Sequence, residues 1–183
     1  PLLARNVGQV EFTMHRVLPD QANHLLYQLT GDISKPYIPY GLESQIAEKF
    51  QSTLQLKIES AKATQYFSFD LAPYLAKTGM AKGLFLLEVK AKNPDQSEGV
   101  VDRRLIMVTD FGLLVKETVA SNHEVFVQNF RTGNPVEGAT VEVIGSNGLT
   151  VLKAVTDASG HVVFPDLKDF KNDKNPIAFS VKK

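Results

Sequence analysis

Apolar and polar residues alternate with period two along most of this chain. Segments patterned that way bury one face each, which is the requirement of half-buried strands rather than helices. Residues 10–17 set Val10, Phe12, Met14 and Arg16 on one face, and 53–59 set Leu54, Leu56 and Ile58 against Gln55, Lys57 and Glu59. Residues 66–71 align Phe67, Phe69 and Leu71, and 84–91 align Phe85, Leu87, Val89 and Ala91. The run Leu105-Ile106-Met107-Val108 within 103–109 is apolar enough to predict burial on both faces. After Thr109-Asp110-Phe111-Gly112 the pattern restarts, with strands expected at 113–117, 124–130, 139–144, 150–156, 161–164 and 176–182. Ser146-Asn147-Gly148 between two alternating runs predicts a hairpin, and Asp157-Ala158-Ser159-Gly160 the next tight connection.

Helix is expected only in short insertions. Pro19-Asp20 opens a helical pattern to about Leu29, with Ala22, Leu25, Leu26 and Leu29 as its stripe. Leu42 to Phe50 predicts a second, and Leu71 to Lys77 a single turn, whereas Pro36 and Pro39 break the stretch between them. The expected fold is all-β with short helical insertions: two tandem antiparallel β domains over 1–108 and 109–183, the six short strands of the second making a β-sandwich or a barrel. The joint at 109–112 lacks the Pro/Gly/Ser composition of a loose tether.

Charge and cysteine content remove whole classes of function. Twenty Lys and Arg balance twenty Asp and Glu, and each half is nearly neutral, so neither nucleic acid nor an anionic membrane surface is an expected partner. No run reaches the roughly 18–20 apolar residues of a membrane span, so the fragment itself is not expected to insert directly into a membrane. With no Cys there is no disulfide, thiol nucleophile, thioester or Cys-based metal site, and no cofactor is expected. No Asn-x-Ser/Thr sequon occurs. The chain opens at Pro1 without a Met or a signal-peptide pattern, which reads as a piece of a longer protein.

No catalytic, cofactor or metal site emerges from the residue patterns, and the partner-binding surface is left open. His15, His24, His123 and His161 lack ligand spacing and read as surface or turn histidines. Asp166, Asp169 and Asp173 are interleaved with Lys168, Lys171 and Lys174, the mark of a solvated loop rather than an acid–base pair. No Gly-x-Ser-x-Gly elbow or phosphate loop is present. Lys153 is the residue to test for a Lys–Asn isopeptide cross-link, against the reading of an outward strand lysine. Asp102-Arg103-Arg104 suits a pair tying strand to loop, or else a docking surface. Tyr37, Tyr40, Tyr66 and Tyr74 are the aromatic platforms that a carbohydrate-binding or adhesive module would use. An enzyme is the remaining alternative, and no catalytic constellation supports it.

Two stretches carry a resemblance. Thr132-Gly133-Asn134-Pro135-Val136-Glu137-Gly138-Ala139 and Thr156-Asp157-Ala158-Ser159-Gly160-His161-Val162-Val163-Phe164 are turn and packing chemistry shared by Ig-like and prealbumin-like sandwiches of extracytoplasmic proteins. Gly83-Leu84-Phe85-Leu86-Leu87-Glu88-Val89 precedes Asp102-Arg103-Arg104-Leu105-Ile106-Met107-Val108-Thr109-Asp110-Phe111-Gly112, which runs on to Val125-Phe126-Val127-Gln128-Asn129-Phe130. In this order they resemble the N-terminal macroglobulin-like (MG) domains of bacterial alpha-2-macroglobulins.

The resemblance implies a macroglobulin-like sandwich over 1–108 and a second over 109–183, the latter short enough to lack a terminal strand or to borrow one from the N-terminal part. It implies structural scaffold domains of an inhibitor that traps target proteases after bait cleavage, without catalysis. The expected partners are neighbouring domains of the same parent chain, target proteases acting on the whole inhibitor, and a peptidoglycan synthase. The expected location is periplasmic, with the parent a lipoprotein of the bacterial inner membrane. This stretch has no Cys for a thioester or lipobox and no long cleavage-prone bait.

Overall fold

The computed structural model describes residues 2–23, 25, 47–55, 64–68, 70–77, 82–95 and 97–183. The chain divides into two compact units, Pro1–Ala22 with Gln28–Val108, and Asn23–Tyr27 with Thr109–Lys183. Among the described residues each is an antiparallel sandwich built from two sheets.

In the first unit, β1 (Leu2–Ala4), β2 (Gln9–Val17), β3 (Ala47–Gln55), β4 (Gln65–Phe67), β5 (Gly83–Lys92) and β6 (Glu98–Val108) form a four-stranded sheet, β3-β2-β5-β6, and a two-stranded sheet, β1-β4. The alternation of β2 works as expected. Val10, Phe12 and Met14 lie in register with Ala91, Val89 and Leu87 of β5 and are buried with Phe85 and Ala4. Phe67, Leu71, Leu75, Ile106 and Val108 close this core. Thr13, His15, Val17, Leu86 and Glu88, on the other face of the same two strands, are buried as well.

Several local expectations are corrected. Residues 47–50 continue β3 instead of ending a helix, because β3 pairs with β2 along its whole length, from Ala47 opposite Val17 to Gln55 opposite Gln9. Residues 42–46 and 56–59 lie outside the described residues. The strand expected at 66–71 stops at Phe67, and Asp70 Oδ1 accepts the Ala72 N–H at 2.9 Å, starting a six-residue helix α1 (Ala72–Lys77) where a single turn was expected. Met107 is 70% exposed, because β6 is an edge strand. At the N-terminal helical pattern, a 3-10 turn over Pro19–Gln21 leads into helical Ala22 and Asn23, and most of the remainder lies outside the described residues.

The second unit follows its sequence closely. β7 (Phe111–Glu117), β8 (His123–Asn129) and β11 (His161–Phe164) form one sheet in the order β11-β8-β7; β9 (Thr140–Gly145), β10 (Thr150–Val155) and β12 (Pro176–Lys182) form the other in the order β10-β9-β12. Val125 and Val127 from one sheet meet Val141 and Val143 from the other, with Ala139, Phe164, Leu167 and Phe179 filling between them. The β9–β10 hairpin turns at Gly148, whose φ of 78° is the left-handed region glycine adopts freely. Gly160 has a φ of 71° and stands where a Cβ would lie 2.5 Å from the Val127 carbonyl oxygen, so that turn is closed to any side chain.

Candidate functional site

Asp102, Arg103, Arg104, Lys153, Asp166 and Lys168, all singled out by sequence, are engaged in ion pairs. Register places Arg103 of β6 directly opposite Glu88 of β5. Arg103 Nε donates to Glu88 Oε2 at 2.7 Å, and Lys90 Nζ lies 3.1 Å from Oε1. Burial pushes the Glu88 carboxyl up, but hydrogen bonds from Lys90 and Arg103, reinforced by their charges, outweigh it and hold it below its ordinary value. Arg104 pairs with Asp102 within β6 and also donates to the Arg103 carbonyl oxygen at 2.7 Å. The structural reading of Asp102-Arg103-Arg104 is therefore the one the geometry supports, although the strongest pairing runs across strands to Glu88.

Lys153 is an outward strand lysine, 60% exposed and 3.9 Å from Glu142. Lys182 approaches the other oxygen of that carboxylate at 3.2 Å, so Glu142 is flanked from both neighbouring strands. Lys168 lies 3.6 Å from Asp166, both in water, as a solvated loop requires. His15 is buried in β2 rather than at the surface, His161 stacks on Phe126 with centroids 4.4 Å apart, His123 lies 6.0 Å from the Phe179 ring, and His24 is outside the described residues. Among the described residues no three His, Cys, Asp or Glu side chains are placed to hold a metal ion. Tyr66 is exposed on β4; Tyr37 and Tyr40 fall outside the described residues, as does the side chain of Tyr74. Among the described residues no helix is long and apolar enough to cross a membrane.

Sequence reasoning missed the most distinctive surface. Gly112 and Leu114 of β7 share the outward face with Phe126 and Gln128 of β8, and together with Phe130 and the adjoining Leu113 they line a groove of about 340 Å³. Leu114 is 63% exposed and Phe130 73%. The Phe130 ring covers Gly112 so closely that a Cβ there would lie 2.6 Å from it. The signal was present in the run Leu113-Leu114-Val115, where consecutive apolar residues replace alternation.

The architecture is thus two antiparallel β-sandwich units, the class to which macroglobulin-like domains belong. A family model described as the bacterial alpha-2-macroglobulin MG3 domain matches residues 108–183. An alpha-2-macroglobulin homolog of Yersinia pestis is 31% identical over 195 residues, covering 98% of this chain and 10% of the relative. The alpha-2-macroglobulin of Rickettsia conorii is 30% identical over 187 residues, again 98% of this chain and 10% of the relative. The crystal structure of native alpha-2-macroglobulin from Escherichia coli spanning domains NIE-MG1 superposes with a TM-score of 0.73 at 19% identity, over 99% of this chain and 82% of that one. A second, spanning MG0-NIE-MG1, gives 0.72 at 19% identity, over 99% of this chain and 54% of that one. The chain belongs to the bacterial alpha-2-macroglobulin family, and it spans about one tenth of the length of the curated relatives it matches.

Proposed function

We propose that this chain is a rigid, non-catalytic scaffold segment of a bacterial alpha-2-macroglobulin that traps proteases after they cleave a bait elsewhere in the parent. The observation that carries the reading is similarity along nearly the whole chain, 98% of it, to proteins named alpha-2-macroglobulin. The fold is consistent with a frame: two sandwiches with hydrogen-bonded sheets and charged groups committed to cross-strand pairs. The chain covers 82% of the two-domain NIE-MG1 structure and 54% of the three-domain MG0-NIE-MG1 structure. The family model over residues 108–183 supports reading that part as a macroglobulin module. The same reading places the parent in the periplasm as an inner-membrane lipoprotein. Its partners would be the neighbouring modules, the trapped protease and a peptidoglycan synthase.

The test compares the parent protein, the parent lacking residues 1–183, and this chain alone, each mixed with an endopeptidase. Cleavage of a large protein substrate is read beside cleavage of a small chromogenic peptide. The parent should suppress the first and spare the second, deletion should remove that protection, and the chain alone should do neither. Unchanged protection after deletion, or stoichiometric inhibition by the chain alone, would overturn the scaffold reading.

A further inference from the structure

We propose that Asn147–Gly148, at the tip of the β9–β10 hairpin, is a site of spontaneous deamidation, and that its conversion undoes the clasp between this hairpin and the turn before β12. Asn147 is the one Asn in the sequence followed by Gly. Every other is followed by Pro, which has no N–H, or by a residue whose side chain crowds the next main-chain nitrogen. Asn147 Oδ1 accepts the Leu149 N–H at 3.0 Å, a bond that folds the side chain back along the Gly148 peptide and polarises its carbonyl carbon. In the proposed step the Gly148 nitrogen attacks Asn147 Cγ and gives up its proton. The Cγ–Nδ2 bond breaks, and the amide nitrogen leaves with that proton as ammonia. Water then opens the cyclic imide. Opening at Cγ yields an aspartyl residue; opening at the main-chain carbonyl yields an isoaspartyl residue, with the chain rerouted through the former side chain. Nothing is oxidised or reduced, and the chain gains a negative charge. Both reacting groups belong to one turn, so the step needs no partner molecule.

The consequence lies in what Asn147 holds. The hairpin tip is clasped to a 3-10 turn over Asn172–Lys174. Ser146 Oγ donates to the Asn172 carbonyl at 2.8 Å, the Asn147 N–H to the Asp173 carbonyl at 3.1 Å, and Asn147 Nδ2 to Asp173 Oδ2 at 3.3 Å. The approach is close: a Cβ on Gly145 would stand 2.9 Å from the Asp173 carbonyl oxygen. Deamidation replaces the Nδ2 donor with a carboxylate facing the Asp173 carboxylate, so an attraction becomes a like-charge repulsion. The isoaspartyl product also lengthens the main chain before Gly148 by one carbon. That disturbs the spacing on which the Gly148 N–H to Gly145 carbonyl and Gly145 N–H to Leu149 carbonyl bonds depend, both 2.9 Å here. The hairpin therefore carries a one-way change that accumulates with the age of the molecule.

The test incubates the full chain in mildly alkaline buffer and maps its peptides by mass, beside N147Q, whose longer side chain does not close the same ring. The wild type should release ammonia, with the amide-to-acid mass gain confined to the peptide holding residue 147, and methylation of isoaspartyl carboxyls should label that peptide. N147Q should show neither. N147D carries the aspartyl product from the start, so its fold and its clasp are read without waiting for the reaction. Its residue-147 amide should exchange hydrogen several-fold faster than in the wild type, and adding D173N, which removes the repulsion, should restore the slower rate. The proposal fails if residue 147 keeps its amide throughout, if other Asn residues convert as fast, if N147D exchanges as slowly as the wild type, or if D173N restores nothing.

Discussion

Thr156 offers a clean test of what holds the second sandwich together. Its hydroxyl is buried and donates to the Val136 carbonyl at 2.6 Å while accepting the Ala139 N–H at 2.9 Å. Its own backbone completes the knot: Thr156 N–H donates to the Ala139 carbonyl at 2.9 Å, and Gly138 N–H donates to the Thr156 carbonyl at the same distance. Thr156→Val keeps the shape and removes the hydroxyl. It strands one buried carbonyl and one buried N–H, since Ala139 is fully buried and Val136 nearly so. Each unsatisfied group costs about 1–3 kcal/mol, so the substitution should destabilise this unit by about 2–6 kcal/mol. Thr156→Ser restores the hydroxyl and loses only a methyl, which should cost about 1 kcal/mol. The assay is denaturant unfolding read together with hydrogen exchange at the Ala139 amide, which should lose protection in the valine variant and keep it in the serine variant. If the valine variant unfolds within about 0.5 kcal/mol of the wild type with Ala139 still protected, the hydroxyl is not the tie and the reasoning fails.

Two further substitutions probe the backbone and the ion pairs. Gly160→Ala forces an L side chain to a φ of 71° and drives its Cβ to within 2.5 Å of the Val127 oxygen; thermal unfolding should show a loss of at least about 2 kcal/mol, and a loss under half that refutes the steric argument. Glu88→Gln should cost about 1–2 kcal/mol at neutral pH, given partners that are themselves partly exposed. Because the folded-state carboxyl titrates below its ordinary value of 4.5, its stabilisation is present above that pH and is lost as pH falls through the folded-state value. The stability gap between wild type and variant should hold from neutral pH to about 5 and close in stronger acid; a gap unchanged in strong acid counts against the pairing.

The second unit was almost fully legible in the sequence because its information is local. Alternation names its strands, Ser146-Asn147-Gly148 and Asp157-Ala158-Ser159-Gly160 name its turns, and its β7–β8 and β9–β10 pairs join neighbouring segments. Asp157 shows how complete that local coding is. Its Oδ1 accepts the N–H groups of Ser159 and His161 and the Ser159 hydroxyl, which together hold the carboxyl below its ordinary range. The first unit was less legible because its decisive pairings are distant. Nothing near Ala47–Phe50 signals a strand; the signal is β2, some thirty residues earlier. The Arg103–Glu88 pair required a register interrupted by an irregularity between Lys90 and Lys92. The burial of His15 depends on what covers the second face of β2, which alternation alone does not reveal. At β7, reading a strand was correct, but whether a strand lies inside a sheet or at its rim is not written in its own residues.

The strand order of the first unit also sets a sequence of events during folding. Thr13 pairs with Glu88, a separation of 75 residues, whereas Leu114 pairs with Phe126, a separation of 12. Closing the longer loop costs about 1.6 kcal/mol more in chain entropy. Because β2 sits between β3 and β5, it cannot acquire its second neighbour until residues 83–92 have been brought back to it. Its apolar face must wait for that closure, while the second unit can zip from adjacent hairpins. The first unit is therefore the one whose central sheet closes slowly, and the one whose apolar strands stay exposed longest while the chain folds.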